Sequence, residues 1–239
     1  MRILCLMIFL TFYYSNAISQ TWFSSDNSVS IGKVVINGQD INSPGTVTKG
    51  SGVKKTISRS VSKFHSINSS GVFNIKFRQG KAAIKITGDD NLINFVITEV
   101  INDSLNLAIN KSYSSKSPID INISAPEVES MTISGASYIE LASIKLPSLV
   151  LNLLGSTDLY ADGEVSRLVL NVNGTGDVRA KSLAADFVTI NAQGAADIQV
   201  TANKELDVTV SGVGDIVFYG KPQKISKKTS GLGEIVTGE

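Results

Sequence analysis

The sequence predicts an all-β fold: a right-handed parallel β-solenoid of coils of ~19 residues each, preceded by a meander of alternating strands. Two observations carry this prediction. Residues 126–239 contain six copies of a short motif built around a glycine. Residues 57–125 contain runs in which apolar and polar residues alternate, such as Phe73-Asn74-Ile75-Lys76-Phe77. Alternation with a period of two is typical of strands that bury one face.

Each of the six repeats combines a short alternating strand, a turn of the type Gly-x-small-acidic and a second short strand. A single unit of this size leaves its apolar side uncovered, whereas stacked copies cover one another. Because a sharp corner favours a positive φ, which glycine adopts most easily, we predict that the repeat glycines are turn residues with positive φ. In the sixth repeat, Lys227 and Thr229 replace the inward apolar pair, which predicts a polar cap at the end of the stack. The repeat glycines are Gly135, Gly155, Gly174, Gly194, Gly212 and Gly231.

The N-terminal segment has the order of a secretory signal peptide. Arg2 precedes an apolar run from Ile3 to Tyr14, and the small residues Ser15 and Ala17 follow it. This run is shorter than the ~20 apolar residues that span a bilayer, and no later run reaches that length, so no transmembrane segment is predicted once the signal is removed. We therefore divide the chain into a signal peptide (1–19), a flexible polar leader (20–56) with a hairpin at Asn37-Gly38, and a β domain (57–239). Within the β domain, 57–125 form the meander and 126–239 the six repeats.

Composition excludes several classes of function. The chain has 239 residues, with 22 Lys+Arg against 21 Asp+Glu, and so lacks the basic excess of a nucleic-acid-binding protein. One His and one Cys are too few for a zinc finger, a histidine metal cage or a disulfide framework. A Ser-His-acid triad would have to use His65, and the chain contains no Gly-x-Ser-x-Gly elbow and no glycine-rich phosphate loop. The sequence therefore predicts no catalytic residues, no metal site and no cofactor.

An acidic residue recurs three positions after the repeat glycine in five of the six repeats, and Tyr138 stands there in the first. In a stack these carboxylates would lie ~4.8 Å apart and repel one another. Hydrogen bonds from turn N–H groups of the same coil are the favoured way to offset this repulsion, and a bound Ca²⁺ is the alternative. The spacing also resembles that of the carboxylates in retaining glycosidases, so a carbohydrate-active hydrolase or lyase is the alternative function. The column consists of Asp158, Asp177, Asp197, Asp215 and Glu234.

A group of four lysines lies near the C-terminus: Lys221, Lys224, Lys227 and Lys228. We interpret it as a solvated face, with weak attraction to anionic glycans or lipid headgroups as the alternative.

The arrangement resembles the head GIN domain family of autotransporter adhesins, found mainly in exported bacterial proteins. The resemblance covers about residues 57–239. It rests on the segments 71–80 (GVFNIKFRQG) and 84–92 (IKITGDDNL) and on the Gly-x-Gly-acidic turns at 174–177, 212–215 and 231–234. It implies an all-β stack of strands in the envelope or outside the cell, and it brings no catalytic residues.

Together these observations predict an exported, non-enzymatic interaction or adhesion-type module. Its location would be periplasmic, on the outer surface or secreted. Its partner would be a surface glycan or a protein, and not a nucleic acid.

Overall fold

The computed structural model describes residues 47–239 and, before them, four short strands at Thr21–Phe23, Val29–Ile31, Val35–Ile36 and Gln39–Asp40. The predicted signal peptide, 1–19, lies outside the described residues. The chain divides into two compact units, Met1–Val47 and Thr48–Glu239. No helix in the described part of the chain is both long enough and apolar enough to cross a membrane.

In the first unit, β1 (Thr21–Phe23) pairs antiparallel with β2 (Val29–Ile31), and β3 (Val35–Ile36) pairs antiparallel with β4 (Gln39–Asp40). The register places Ile36 opposite Gln39. The predicted turn residues, Asn37 and Gly38, lie outside the described residues.

The second unit is built from strands and a single 3-10 turn, Ile93–Phe95, within the part of the chain that is described. Residues 48–56, assigned to the leader from the sequence, contribute β5 and the first part of β6 to this unit. The early strands are β5 (Thr48–Lys49), β6 (Lys54–Arg59), β7 (Ser66–Ser70), β8 (Val72–Gln79), β9 (Ala83–Asp89), β10 (Val96–Ile101), β11 (Ser104–Ile109), β12 (Tyr113–Ser114), β13 (Ile119–Ala125) and β14 (Ser130–Ile133). The later strands are β15 (Ala136–Leu153), β16 (Ser156–Val172), β17 (Thr175–Ala192), β18 (Ala195–Val210), β19 (Ile216–Tyr219), β20 (Lys224–Thr229) and β21 (Ile235–Thr237).

The four long strands β15 to β18 bend near their middle, so each contributes to two walls of strands. At the bend of β15, Ser143 has a positive φ of 51°, and the Asp162 carboxylate accepts hydrogen bonds from the Ser143 N–H and hydroxyl. We call one wall the front wall: β6, β9, β13, β8, the first halves of β15 to β18, β19 and β21. The back wall comprises β10, β11, β7, β14, the second halves of β15 to β18, and β20.

The pairing from β14 onward is parallel, and it joins equivalent positions of successive repeats. Ala136 pairs with Ser156, Ser156 with Thr175, and Thr175 with Ala195. An isolated bridge from Ala195 to Val213 continues this row. In a neighbouring row, Ile198 pairs with Ile216 and Ile216 with Ile235. The prediction of an all-β fold with parallel strands is therefore confirmed.

Inward side chains of both walls form one apolar core. Phe73, Ile75 and Phe77 of the front wall and Leu151 of the back wall are almost completely inaccessible to solvent. Because alternate residues of a strand point to opposite faces, the residues between them are left on the outside. The outer side of the front wall is thus a surface of polar and charged side chains.

Residues 57–125 do not form the simple meander predicted from the sequence. β13 lies between the consecutive strands β8 and β9, parallel to the first and antiparallel to the second. β7 and β8 themselves pair in parallel with β14 and β15, so Gly71 between them occupies the same position as Gly135. Alternation identified these strands, but it carries no information on which strands become neighbours.

A cation connects the two walls at each end of the second unit. At one end, the Arg59 guanidinium of β6 donates to the carbonyl oxygens of Val96 (2.5 Å) and Ile93 (3.2 Å). At the other end, Lys227 of β20 donates to the carbonyl oxygen of Ile235 (3.1 Å), and its amine lies 4.6 Å from the centre of the Phe218 ring. All six residues of β20 are exposed, in keeping with the polar end expected from Lys227 and Thr229.

Candidate functional site

The acidic column lies on the outer side of the front wall, and its carboxylates accept backbone hydrogen bonds. The Asp158 carboxylate accepts from the N–H of Asp177 (3.1 Å), Asp197 from Asp215 (2.9 Å) and Asp215 from Glu234 (3.0 Å). Each acceptor therefore bonds to the next coil, and the prediction that it bonds within its own coil is wrong. Each bond links a carboxylate to the backbone at the equivalent position one coil later.

The Asp177 carboxylate departs from this pattern by pairing with Arg179 of the same strand, at 2.7 Å. Among the described residues, no three His, Cys, Asp or Glu side chains are grouped so that they could hold a metal ion.

The repeat glycines are required for close approach between coils, and the predicted positive φ is wrong for all six. A Cβ added at Gly194 would overlap the carbonyl oxygen of Gly174, and the same clash recurs at each repeat glycine with the glycine before it. That carbonyl also accepts a hydrogen bond from the N–H of Ala195, at 2.9 Å. A side chain at this column would therefore push neighbouring coils apart. Positive φ occurs instead at the second glycine of the turn, Gly176 and Gly214.

A ladder of asparagine side chains runs along the outer side of the back wall and was not predicted from the sequence. Asn191 donates to the side-chain oxygen of Asn171 (2.9 Å), Asn171 donates to Asn152 (2.8 Å), and Asn152 donates to Thr132 (3.2 Å). These residues all lie three positions before a repeat glycine. The recurrence of asparagine at this position is visible once the repeats are aligned on their glycines.

A trough crosses the outer side of the front wall in the non-repeating half. Its floor is Asn122 and Ser124 of β13, whose side chains are short. Lys76 and Arg78 of β8 form one side, and Lys85 of β9 forms the other, next to Asn122 in register. The trough is open to solvent and has a volume of about 400 Å³.

The charge of the trough is largely uncompensated. Within residues 47–239, no ion pair within 4.0 Å joins Arg78 or Lys85 to a carboxylate. Lys76 pairs with Glu140 of β15 at 2.6 Å, and the hydrogen bond and negative charge of Glu140 raise the pKa of Lys76. At one end, Asp120 accepts a hydrogen bond from the Asn74 amide (2.9 Å) and places a negative charge there. The trough is therefore a cationic site with one acidic end.

Two exposed tyrosines stand beside the trough. Tyr138 of β15 and Tyr160 of β16 are 40% and 39% exposed. Tyr160 is paired in register with Glu140, which is in turn paired with Lys76. Charged, amide and aromatic side chains thus share one open face.

Sequence alternation placed Lys76 and Lys85 on outward positions but did not show the trough. The trough exists because β13 inserts between β8 and β9, and a pairing between strands so distant in sequence is not contained in the alternation.

The remaining residues singled out from the sequence lie elsewhere. His65 is exposed, and its backbone N–H donates to the carbonyl of Asp103 (2.9 Å). Of the four C-terminal lysines, Lys224 pairs with Glu205 (2.5 Å), which raises the pKa of Lys224. Lys227 is engaged with Ile235 and Phe218, as described above. Lys221 and Lys228 are exposed.

Solved structures of similar fold come from Bacteroides and Parabacteroides species. A structure described as a "putative adhesin" from Bacteroides fragilis is 24% identical, with a TM-score of 0.68, and the match covers 80% of this chain and 99% of that one. A "putative lipid binding protein" from Parabacteroides distasonis is 22% identical with a TM-score of 0.53, and a "putative adhesin" from Parabacteroides merdae is 17% identical with a TM-score of 0.54. Both matches also cover 80% of this chain and 99% of the other. At these identities the likeness shows the fold.

No curated protein is similar enough to this chain to count as a match. The family described as "Putative auto-transporter adhesin, head GIN domain" matches residues 63–222, which include most of both walls and the whole trough. The chain therefore belongs to the head GIN domain family.

Proposed function

We propose that this protein is an exported, non-enzymatic interaction module that binds a surface glycan or protein through the outer side of its front wall. The observation that supports this most is the row of outward-facing side chains across that wall, from Lys85 through Lys76 and the half-buried Glu140 to Tyr160. An extended face of this kind suits an extended partner. Similarity to structures described as adhesins supports the same role.

The proposed architecture of the second unit is a right-handed solenoid with coils of ~19 residues, because parallel β connections are almost always right-handed. Parallel register between equivalent positions of successive repeats supports the coil length. In such a stack the front wall grows by one strand with each coil.

Export rests on the order of residues 1–19, and we propose that this segment is removed. Mass spectrometry of the protein from its native host tests this. A mature N-terminus near Gln20 is expected. Extracytoplasmic protein that retains Met1 would show that no cleavage takes place.

The binding role is tested with the full chain on an array of glycans and on intact cells, alongside an assay for new reducing ends on polysaccharides. We expect binding that saturates and no release of reducing ends. Release of reducing ends would replace the proposal with the enzyme alternative. Failure to bind glycans, cells or cell-surface proteins would contradict it altogether.

A further inference from the structure

The geometry points to the trough as a binding site for an anionic oligosaccharide, that is, a chain of sugar rings carrying carboxylate or sulfate groups. This inference rests on the proposed function and names the chemical class of the ligand for the same face. The trough residues are Lys76, Arg78, Lys85, Asn122 and Ser124.

The first argument is the arrangement of charge. Lys76 and Lys85 lie two strands apart, about 9–10 Å between backbones, on opposite sides of the Asn122 floor. Arg78 is two residues from Lys76 along β8, and its planar guanidinium can form paired hydrogen bonds with a carboxylate or sulfate. Arg78 and Lys85, with Lys76 and its partner Glu140 beside them, therefore favour a ligand with more than one anionic group over a single ion.

The second argument is the shape and polarity of the trough. Its floor offers an amide at Asn122, and its two apolar lining residues are Ala83 and Ile123, of which Ile123 is buried in the core. Ser124 is already used, because its hydroxyl donates to the carbonyl of Lys81 at 2.7 Å. A polar, open floor suits hydroxyl-bearing rings and offers no enclosed apolar space for an acyl chain.

The third argument is the position of the tyrosines. Tyr138 and Tyr160 lie on the same face, on the β15 and β16 side of Lys76. Each presents an apolar ring together with a polar hydroxyl, a combination that can pack on a sugar ring while remaining hydrated. A ligand in the trough that extends across Glu140 reaches them.

The C-terminal lysines fit this role less well, because two of them are already engaged. Lys224 is paired with Glu205, and Lys227 closes the end of the core. Lys221 and Lys228 are exposed and provide a matched control of equal charge.

The test measures binding of the full chain to four probes by calorimetry: a hexamer of galacturonic acid, a heparin hexasaccharide, neutral maltohexaose and vesicles of phosphatidylglycerol. We expect binding to one or both of the acidic sugars, weakened by salt. The two acidic probes distinguish carboxylate from sulfate recognition. Binding to the vesicles alone would overturn the inference in favour of a membrane surface.

Three variants assign the binding to the trough. Arg78→Gln with Lys85→Gln removes two charge-assisted contacts and should weaken binding at least about tenfold. Lys221→Gln with Lys228→Gln makes the same change in net charge and should leave affinity within about twofold, since charges beyond the screening length contribute little. Glu140→Gln removes the carboxylate that competes for Lys76 and should strengthen binding about threefold.

The outcomes separate this inference from the proposed function. Equal weakening by both double variants, or full affinity in Arg78→Gln/Lys85→Gln, would show that the trough is not the site. If the chain binds neutral glycans or a surface protein but neither acidic sugar, the anionic ligand is wrong while the binding role stands. Thermal melts of each variant verify that the fold is intact. The stronger binding expected for Glu140→Gln is an additional control, because an unfolded variant would not bind more tightly.

Discussion

The two halves of the second unit bury side chains in one core, but they pair their strands differently. Residues 126–239 stack equivalent strands in parallel, so some outward positions become rows of like residues, such as the acidic column and the asparagine ladder. Residues 48–125 combine parallel and antiparallel neighbours, and their rows bring unlike residues together. In this half, the long side chains of β8 and β9 stand on either side of Asn122 and Ser124 of β13, and this difference in length forms the trough.

This difference separates structural features from candidate binding features. A row that recurs from coil to coil is explained by the stacking itself, because its side chains form hydrogen bonds with the neighbouring coil. The trough uses residues from three strands that do not repeat, and two of its cations have no carboxylate partner within residues 47–239. A specific ligand site is therefore expected where the repetition is interrupted.

The largest effect is expected from a side chain in the glycine column. Gly194→Val should lower the free energy of unfolding by about 4 kcal/mol, because the new Cβ overlaps the Gly174 carbonyl and the coils must separate. Gln193→Thr, on the exposed neighbouring position, is the control and should be nearly neutral. Urea melts measure both, and equal midpoints would show that the column tolerates side chains.

Truncation of one core side chain in residues 48–125 and of one in residues 126–239 tests whether the two halves of the second unit unfold together. Ile121→Ala and Leu170→Ala each remove a fully buried side chain from the shared core and should cost about 2–5 kcal/mol. Because the core is continuous, each variant should still unfold in a single transition by circular dichroism and by calorimetry. Two separate transitions in Leu170→Ala would mean that the repeats form an independent unit.

A smaller effect is expected in the asparagine ladder. Asn171 donates to Asn152 and accepts from Asn191, so Asn171→Ala breaks two side-chain hydrogen bonds and should cost about 1–2 kcal/mol. Asn173→Ala alters the same residue type at an exposed position two residues away and serves as the control. Urea melts of Asn171→Ala and Asn173→Ala measure the free energy of unfolding of each variant. Equal losses of stability would show that the ladder makes no specific contribution.

The smallest effect is expected from Ca²⁺, which should leave the melting temperature unchanged within experimental error. Backbone N–H groups already bond to Asp158, Asp197 and Asp215, whereas Ca²⁺ prefers six to eight oxygen ligands. Melts in EDTA and in millimolar Ca²⁺ should therefore coincide. A cation at 100 times its dissociation constant would add ~2.7 kcal/mol and raise the melting temperature by several degrees. Such a rise, abolished in Asp197→Asn, would make the column a metal site.

The repeats allowed much of the fold to be predicted, because a glycine that recurs every 18–20 residues indicates which positions become neighbours. The same alignment contained the asparagine ladder at Thr132, Asn152, Asn171 and Asn191. The reason for the glycines was misassigned, since the closeness of Gly174 and Gly194 is a property of two coils and not of one turn. The trough could not be predicted, because the insertion of β13 between β8 and β9 depends on long-range pairing that alternation leaves open.

The glycine column also has an evolutionary consequence. A duplicated repeat carries its own glycine, so it can be inserted between two existing coils and meet both neighbours with the contacts they already make. By the same argument, we expect the fold to tolerate the loss of one whole repeat better than a substitution within the column. Members of the family should therefore be able to differ in length by whole repeats without a change in residues 72–124, which carry the trough.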